Sequence, residues 1–373
     1  MINHKKYMKK AIKLAKKGIF TTSINPIVGC IIVKNNIIVG KGWHQKRGSE
    51  HAEIIALKMA KKLSYQATMY VTLEPCSHYG LTGPCYKKII SSGINNIFIA
   101  VKDPNPQVNG KSIKKLKKSG IKVHIGLMKK KSKFINREFF KWIKTGNPWI
   151  NLKIAMSFDG KIATKSGESK WITSKKSRSE VHILRAQNTA ILTTSNTIIQ
   201  DNPSLNVRFS EMNVIERKSF PIENFIQPIR IIIDSKNRVK QNHKIFKIKS
   251  QILLIRLKKD KKIWPKHVKQ IIIPKYKNKI NLILLFKILG TLNIKNILVE
   301  SGSLFTSALL SLNMIDELII YCAPIILGNQ SKPIFLLNYI KKLSQSKKII
   351  FRKISKIGKD LRIIINFKKT DKL

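Results

Sequence analysis

The sequence predicts two α/β domains in a single chain. Strand-like apolar runs alternate with helical patterns along nearly the whole length, which indicates helices packed on a sheet. The 373 residues suffice for two ordinary domains with cores of their own. At residues 145–148, Thr-Gly-Asn-Pro separates a lysine-rich helical pattern from an apolar strand pattern, and Gly and Pro typically break a helix at such a point. We therefore place the domains at residues 1–146 and 147–373.

The first domain is predicted to open with a helix and a β-hairpin. Apolar residues at helical spacing cover residues 7–17 and stop at Gly18, a usual helix terminator. Residues 28–33 and 37–43 flank Asn35-Asn36, a pair typical of hairpin turns. The other predicted elements are helix 54–63, strand 68–73, helix 86–92, strand 95–101, a helix ending at Gly120, strand 121–125 and helix 131–144.

The second domain is predicted to be an α/β domain rich in strands that ends in an antiparallel arrangement. Residues 206–229 show little periodicity and favour a loop. The predicted elements are strand 149–156, helix 174–187, strands 190–194, 229–233 and 251–256, helix 281–289, strand 296–300, helix 304–312, and strands near 315–322, 347–354 and 361–367.

The strong positive charge of the chain does not by itself identify a partner. Lys+Arg 73 against Asp+Glu 19 gives a net charge of +54, which taken alone favours nucleic acid or an anionic membrane. The lysines, however, are scattered through nearly every segment, and a run such as residues 129–131 is typical of a solvated helix face. We therefore expect no nucleic-acid partner. A basic surface would still attract phosphorylated small molecules.

The cysteine content and the hydropathy of the sequence predict the cellular location of the protein. Four cysteines in a chain of this size do not make a disulfide framework. The lysine-rich amphipathic N-terminus has no apolar core of signal-peptide length, and no stretch approaches the ~20 apolar residues of a membrane span. We expect a soluble cytoplasmic protein without a membrane partner.

Residues 49–85 contain the candidate metal ligands and the candidate proton-transfer residue of the first domain. His51 precedes a helical pattern, and Cys76 and Cys85 follow an apolar strand pattern. One imidazole and two thiolates give zinc three protein ligands and leave the fourth position to water, as catalysis requires. Glu53 is then available for proton transfer. Because both ligand segments precede helices, the positive helix ends would favour thiolate there.

The same residues are also compatible with sites that are not catalytic. The pattern H-x-E followed by P-C-x-x-C marks zinc nucleobase deaminases, but here eight residues separate Cys76 from Cys85. A disulfide, two unrelated buried cysteines or a structural zinc would account for the thiols without using Glu53. At the level of function, the rivals are a nucleic-acid deaminase with a basic RNA-binding half and a noncatalytic zinc scaffold.

Two turns and two arginines are further candidates. Residues 23–28 form an Asn-Pro corner, where the Asn25 amide could hold a pyrimidine edge, and residues 103–106 form a rigid Asp-Pro-Asn-Pro loop after a strand. Residues 297–303 indicate a strand, a turn of small residues and a helix start, where backbone N–H groups can bind phosphate. Such a turn is often only a tight connection. Arg185 and Arg208 could bind phosphate, although lone arginines are usually surface residues.

These residues belong to runs that resemble one family over residues 7–367. The chain resembles the bifunctional riboflavin-biosynthesis deaminase-reductases. In the first half the runs are NPIVGC (25–30), GWH (42–44), HAE (51–53), YVTLEPCSHYGLTGPC (70–85) and DPNP (103–106). In the second half they are LKIAMSFDGKIAT (152–164), GESKWIT (167–173), LRA (184–186), DNPSLNVR (201–208), PIRIIIDSKNRV (228–239), VESG (299–302) and IDELIIYCAPIILG (315–328).

The resemblance implies a fold and a reaction for each half. The first half would be a cytidine-deaminase-like three-layer α/β/α domain, and the second a dihydrofolate-reductase-like α/β domain. The first would deaminate 2,5-diamino-6-ribosylamino-4(3H)-pyrimidinone 5′-phosphate at carbon 2. The second would use NADPH to reduce the ribosyl side chain of the resulting 5-amino-6-ribosylaminouracil 5′-phosphate to ribityl.

The resemblance also implies roles for individual residues. Glu53 would relay protons, and His51, Cys76 and Cys85 would hold one Zn²⁺ per chain. Substrate contacts fall on Ser169, Arg185, Leu205, Arg208 and Glu300. NADPH contacts fall on Ala155, Trp171, Thr197, Asp201, Ser235, Gly302, Ser303, Leu304, Phe305, Thr306, Ser307 and Ala308.

The chain departs from the family pattern at a few positions near these sites. Ile24 and Gly83 stand where Pro is frequent, Tyr79 where a second His is common, and Ser301 where Gly or Ala is usual. None of them is a proposed zinc ligand or Glu53. The expected partners are small phosphorylated pyrimidines, and we expect the protein to form a homo-oligomer.

Overall fold

The structure, a computed structural model, describes residues 3–80, 83–218 and 220–367. Leu81 and Thr82 of the 70–85 motif, and residues 368–373 at the end of the predicted second domain, lie outside the described residues. The chain divides into two compact units. One comprises Met1–Asn147 with Pro221–Ile226, and the other Pro148–Phe220 with Gln227–Leu373.

The first unit is built on a five-stranded sheet in the order β2-β1-β3-β4-β5. The predicted hairpin is confirmed, because β1 and β2 pair antiparallel and Asn35 and Asn36 both have positive φ, as a tight hairpin turn requires. The pairs β3–β4 and β4–β5 are parallel. The strands are β1 (Gly29–Lys34), β2 (Ile37–Trp43), β3 (Thr68–Val71), β4 (Asn96–Ile99) and β5 (Lys122–Ile125).

Both faces of this sheet are covered by helices, which confirms three layers. Along β1, Cys30 and Ile32 pack in one cluster with Ala56, whereas Ile31 packs in another with Met8. Alternate residues of a strand point to opposite faces. The helices are α1 (His4–Ala15), α2 (Ala52–Ala60), α3 (Cys85–Ser91), α4 (Lys111–Lys118), α5 (Lys129–Ile135) and α6 (Arg137–Thr145).

Two local features of this unit could not be predicted in detail. A Cβ on Gly42 would lie 2.1 Å from the Ala52 carbonyl oxygen, so glycine is what lets α2 approach β2. The single helix predicted at 131–144 is wrong, since α5 and α6 are separated at Asn136. The buried Asn136 side chain accepts from the Ile27 N–H at 2.8 Å and donates to the Ile27 carbonyl at 2.9 Å. This distant partner fixes the break.

The second unit is built on a nine-stranded sheet in the order β11-β10-β9-β8-β14-β6-β15-β18-β17. Strands β11 to β15 of this order pair in parallel, and β18 and β17 complete it antiparallel. The antiparallel end is therefore confirmed. The strands of the sheet are β6 (Trp149–Ser157), β8 (Ala190–Thr194), β9 (Ile229–Ile233), β10 (Ile252–Arg256), β11 (Val268–Ile272), β14 (Asn296–Val299), β15 (Glu317–Ala323), β17 (Ile349–Ile357) and β18 (Asp360–Phe367).

Two short strand pairs and five helices complete the second unit within the part of the chain that the structure describes. Leu152, Leu192 and Val299 of adjacent strands pack with Leu285 and Phe286 in its largest buried cluster. The small strand pairs, which were not predicted, are β7 (Lys161–Ala163) with β16 (Lys332–Pro333), and β12 (Lys275–Tyr276) with β13 (Lys279–Ile280). The helices are α7 (Lys175–Ala186), α8 (Ser195–Asp201), α9 (Val214–Lys218), α10 (Leu282–Thr291) and α11 (Ser303–Ser311).

Among the described residues, the helices are all too short or too polar to traverse a bilayer.

Candidate active sites

His51, Cys76 and Cys85 meet at the end of the first sheet. His51 is the N-cap residue of α2, and Cys85 is the first residue of α3. His51 Nδ1 lies 3.1 Å from Cys85 Sγ and 3.4 Å from Cys76 Sγ. All three donor atoms lie within 4.8 Å of one another. The fold thus brings the three predicted ligands together around a single point.

The donor set fits zinc. An imidazole nitrogen and two sulfurs are ligands that zinc prefers, and three of them leave one tetrahedral position for water. The backbone N–H of Cys85, at the start of α3, donates to Cys76 Sγ at 3.2 Å, which favours negative charge on that sulfur. Both cysteines are free, so the structure does not contain the alternative disulfide.

Hydrogen bonds among His51, Cys76 and Cys85 shift the pKa of each of the three groups. The hydrogen bond with the Cys85 thiol is the main reason that the pKa of Cys76 is lowered, and His51 adds to it. The same contact, together with burial, raises the pKa of Cys85. The bond to Cys76 raises the pKa of His51. A bound divalent cation would displace the proton that Cys85 retains.

Glu53 lies in the first turn of α2 and is only 3% exposed. Burial raises the pKa of Glu53, because a carboxylate loses solvation away from water. A carboxyl group with a raised pKa can both accept and donate a proton near neutral pH. Glu53 and His51 line the same cavity, which places the carboxyl group beside the predicted metal ligands.

This cavity has a volume of about 370 Å³. His51, Cys76 and Glu53 line it, and Phe139 and Trp142 contribute apolar surface. Asn25, the predicted pyrimidine contact, also lines it, and its amide nitrogen lies 2.9 Å from His44 Nε2. Burial lowers the pKa of His44, so its ring is neutral and can accept from this amide.

Sequence reasoning missed the acidic side of the cavity. Asp103 and Asn105, from the loop that was predicted to be rigid and to follow a strand end where sites gather, line the cavity together with Glu74, and no role had been predicted for any of the three. Burial raises the pKa of Asp103 to about 7. Asp103 is an acidic residue beside two prolines just after a strand, and this position was the available signal. Glu74 precedes Cys76 in the same motif but has no local pattern that reveals its partners.

A second group of predicted site residues lies in the second unit, around the carboxylate of Glu300. Its carboxylate accepts from Arg185 Nε at 2.7 Å and from Arg185 Nη2 at 3.1 Å, and Lys153 Nζ lies 3.8 Å away. Burial by itself would raise the pKa of Glu300, but Arg185 and Lys153 overcome it and hold the value at about 2. The two predicted substrate contacts, Arg185 and Glu300, therefore form a close, partly buried ion pair.

The other predicted substrate contacts surround this pair. Arg185 Nη1 donates to the Asn206 carbonyl at 3.2 Å, which ties α7 to the segment that contains Leu205 and Arg208. The Arg208 N–H donates to His182 Nδ1 at 3.1 Å, and its guanidinium pairs with Glu211. Leu205 is buried with a positive φ of 48°, a conformation that is unusual for leucine.

The predicted cofactor contacts follow the carboxyl ends of adjacent parallel strands. Ala155 lies in the last part of β6, Thr197 and Asp201 lie in α8 directly after β8, and Ser235 follows β9. Ligands of open α/β sheets bind at such ends. Gly302 is the N-cap residue of α11, whose first turn presents backbone N–H groups of residues 303–305.

Two further predicted contacts lie on residues 164–174. The Ser169 hydroxyl donates to Asp201 Oδ1 at 3.0 Å, so a predicted substrate contact touches a predicted cofactor contact. Trp171 is 71% exposed with a φ of 67°, and the Arg178 guanidinium lies 4.1 Å from its ring centroid. A large exposed aromatic ring offers a surface on which a nicotinamide or adenine ring can stack.

Comparisons with known proteins match both halves of the chain. Residues 148–363 match the family model of the RibD C-terminal domain, and residues 1–101 match that of the cytidine and deoxycytidylate deaminase zinc-binding region. The riboflavin biosynthesis protein RibD of Buchnera aphidicola subsp. Baizongia pistaciae is 52% identical over 361 residues, covering 96% of this chain and 97% of the relative. That of Escherichia coli is 43% identical over 355 residues, covering 95% and 97%.

Solved structures are similar over both units. Acinetobacter baumannii RibD in form 1 superposes with a TM-score of 0.89 at 34% identity and covers 98% of this chain and 99% of its own. A Thermotoga maritima diaminohydroxyphosphoribosylaminopyrimidine deaminase/5-amino-6-(5-phosphoribosylamino)uracil reductase superposes with a TM-score of 0.85 at 29% identity, with 98% of each chain covered.

Proposed function

Because this chain belongs to the RibD family of riboflavin-biosynthesis proteins, we propose that it carries out two consecutive steps on one phosphorylated pyrimidine. It is a bifunctional enzyme, with a zinc deaminase domain followed by an NADPH-dependent reductase domain. The observation that carries the proposal is the His51, Cys76 and Cys85 cluster beside the buried Glu53 in one cavity. The nucleic-acid deaminase alternative gives no role to the reductase domain.

The substrates follow from the Thermotoga maritima relative, whose name gives both reactions. In the first step, water adds to carbon 2 of 2,5-diamino-6-ribosylamino-4(3H)-pyrimidinone 5′-phosphate and ammonia leaves. In the second, the ribosyl group of the resulting 5-amino-6-ribosylaminouracil 5′-phosphate is reduced to ribityl. The high positive charge of the chain favours the approach of both phosphorylated compounds.

In the deaminase site, His51, Cys76 and Cys85 would hold the zinc ion. A zinc ion with three protein ligands supplies a Lewis acid next to which water becomes nucleophilic near neutral pH. Glu53 takes a proton from the attacking water and delivers a proton to the departing amino group. The Asn25 amide, oriented by His44, can bind the edge of the pyrimidine.

In the reductase site, Arg208 and Arg185 would bind the substrate phosphate, with Ser169, Leu205 and Glu300 as further contacts. NADPH supplies the hydride, and its proposed contacts are Ala155, Trp171, Thr197, Asp201, Ser235 and the residues from Gly302 to Ala308. The positive end of α11 suits the phosphates of the cofactor. Hydride transfer depends on positioning, which the Glu300–Arg185 pair supports by fixing α7 to the end of β14.

We also infer the boundary, assembly and location of the protein. The boundary at 146/147 is supported by the division of the chain beside Asn147. A homo-oligomer is supported by edge strand β17, where Ile350, Phe351 and Ile354 are each about half exposed. A cytoplasmic location is supported by free cysteines throughout.

The test supplies purified protein with zinc, the diamino substrate and NADPH, and follows ammonia release and the loss of NADPH absorbance together. We expect ammonia first and NADPH oxidation after it. Protein that releases no ammonia would refute the deaminase assignment. Protein that oxidises no NADPH even with the deaminated intermediate would refute the reductase assignment.

A further inference from the structure

Glu74 is a buried carboxylate that the proposed chemistry does not use. It follows β3, two residues before Cys76, and is only 3% exposed. Its Oε2 accepts the backbone N–H of Asp103 at 3.2 Å and that of Gly110 at 3.0 Å. Its Oε1 accepts the Ser112 hydroxyl at 2.9 Å. Both oxygens are thus engaged by the protein, which leaves this carboxylate poorly suited to proton transfer.

The partners of Glu74 are the two ends of one loop. Residues 100–110 connect β4 to α4 and place Asp103, Asn105 and Val108 on the wall of the deaminase cavity. Within the loop, Asp103 Oδ1 accepts the Asn105 N–H at 2.8 Å, and Asn105 Oδ1 accepts the Gln107 N–H at 3.0 Å. These local turns give the loop its shape. They do not attach it to the segment that contains Cys76.

The Glu74 N–H holds the start of the loop at the Val101 carbonyl at 3.0 Å, and the Glu74 side chain attaches residues 103 and 110. The Gly110 N–H and Ser112 hydroxyl belong to the N-terminal end of α4, where a negative charge is favoured by the helix dipole. Without the carboxylate, the buried Asp103 N–H and the partly buried Gly110 N–H lose their acceptor, and a loop that leaves such groups unpaired must rearrange to reach water. The Ser77 hydroxyl, which donates to the Gln107 carbonyl at 3.0 Å, is a further link on the exposed side of the loop.

We propose that Glu74 is a positioning residue of the deaminase, which holds both ends of the 103–110 loop so that Asp103 and Asn105 face the substrate. This inference rests on the proposed deaminase function. Glu74 lies two residues before Cys76, but the hydrogen bonds of its side chain go to the loop and the start of α4 and not to a metal ligand or Glu53. Its loss should therefore weaken substrate binding and leave the chemical step of bound substrate nearly intact.

The experiment compares wild type, Glu74→Ala, Glu74→Gln and the control Glu138→Gln. Glu138 lies on α6 in the same domain and pairs with Arg137. We expect Glu74→Ala to raise the KM for deamination about ten-fold or more with kcat within about two-fold, because uniform binding is lost. Zinc content and the reductase KM should be unchanged. Glu74→Gln should recover most of the KM, since its carbonyl can accept both N–H groups and its amide can donate to Ser112.

Three outcomes would overturn the proposal. One is a lower kcat with an unchanged KM, one is loss of zinc from Glu74→Ala, and one is a glutamine variant no better than alanine. If alanine prevents folding of the domain, Ser112→Ala removes one of the three donors and should raise the KM in the same direction by a smaller factor. An unchanged KM in that case would also count against the proposal.

Hydrogen exchange separates this inference from the proposed function. In Glu74→Ala the Asp103 and Gly110 amides should exchange faster than in wild type, whereas those of β4 should not. Equal exchange would refute the loop attachment whatever the enzyme does. If wild type releases no ammonia, the deaminase assignment fails, and the exchange data still decide whether Glu74 holds the loop.

Discussion

Replacement of Glu53 by Gln tests the proton shuttle with the smallest change of shape. The side chain is 3% exposed and burial raises its pKa, so it is a carboxyl group held beside the cluster in low solvation. General acid–base catalysis contributes about 10²–10⁴-fold to rates, which corresponds to about 3–5 kcal/mol. An amide cannot exchange a proton in this way. We expect kcat for ammonia release to fall by about 10²–10⁴-fold.

The assay measures ammonia release, zinc content and NADPH oxidation on the same preparation. The zinc ligands contact one another without Glu53, so zinc should remain stoichiometric, and NADPH oxidation with the deaminated intermediate should continue. Glu50→Gln is the matched control, because Glu50 lies in the same segment but is exposed and pairs with Lys58 at the surface. Normal ammonia release from Glu53→Gln would refute the shuttle and favour a noncatalytic zinc scaffold.

Three further predictions concern the arginine site, the metal and a buried histidine. Arg208→Ala should raise the reductase KM about ten-fold or more and leave the deaminase KM unchanged, because a charge-assisted phosphate contact is lost. The control is Arg217→Ala, since Arg217 is exposed. Equal effects of Arg208→Ala on both KM values would contradict the two-site division. Chelation of zinc should stop ammonia release but not NADPH oxidation. Restoring zinc should release protons, because the raised pKa of Cys85 keeps that thiol protonated without metal. Zinc affinity should therefore fall as pH falls, and an affinity independent of pH would contradict this. Burial lowers the pKa of His182 from 6.5 to about 4, so the unfolded chain takes up the proton first as pH falls through this window. The free energy of unfolding of the second unit, measured with denaturant, should therefore fall by about 2 kcal/mol between pH 7 and pH 5. His182→Gln can still accept from the Arg208 N–H but does not titrate, so it should abolish that loss.

The elements that were predicted well are those whose signals are local. The β1–β2 hairpin follows from Asn35 and Asn36, two residues that tolerate the positive φ of a tight turn. The zinc cluster follows from residue type, since an imidazole and two thiols ahead of helix starts have few other uses together. Strands β8 and β9 have the predicted bounds because continuous apolar runs are typical of strands buried on both faces.

The elements that were missed depend on distant partners. The break between α5 and α6 is fixed by the bond of Asn136 to Ile27, which lies 109 residues away along the chain, so no periodicity around residue 136 reveals it. Strand β11 is a partly exposed edge strand with weak apolar alternation. The position of β14 between β8 and β6 is likewise a matter of tertiary pairing. Each of these misses is a case in which long-range contacts override local preference.

The unusual composition contains a signal for the missed acidic residues. In a chain with 73 basic and 19 acidic residues, basic side chains outnumber acidic ones, so a surface carboxylate has many possible cationic partners. A carboxylate inside an apolar run is buried away from these cations, and its burial costs free energy of folding unless it is fully hydrogen-bonded or protonated. Glu53 and Glu74 follow this rule, Glu53 with a raised pKa and Glu74 with three donors. In so basic a sequence, an acidic residue next to a predicted metal ligand and within an apolar run therefore points to the functional cavity, and this criterion would have identified Glu74 from sequence alone.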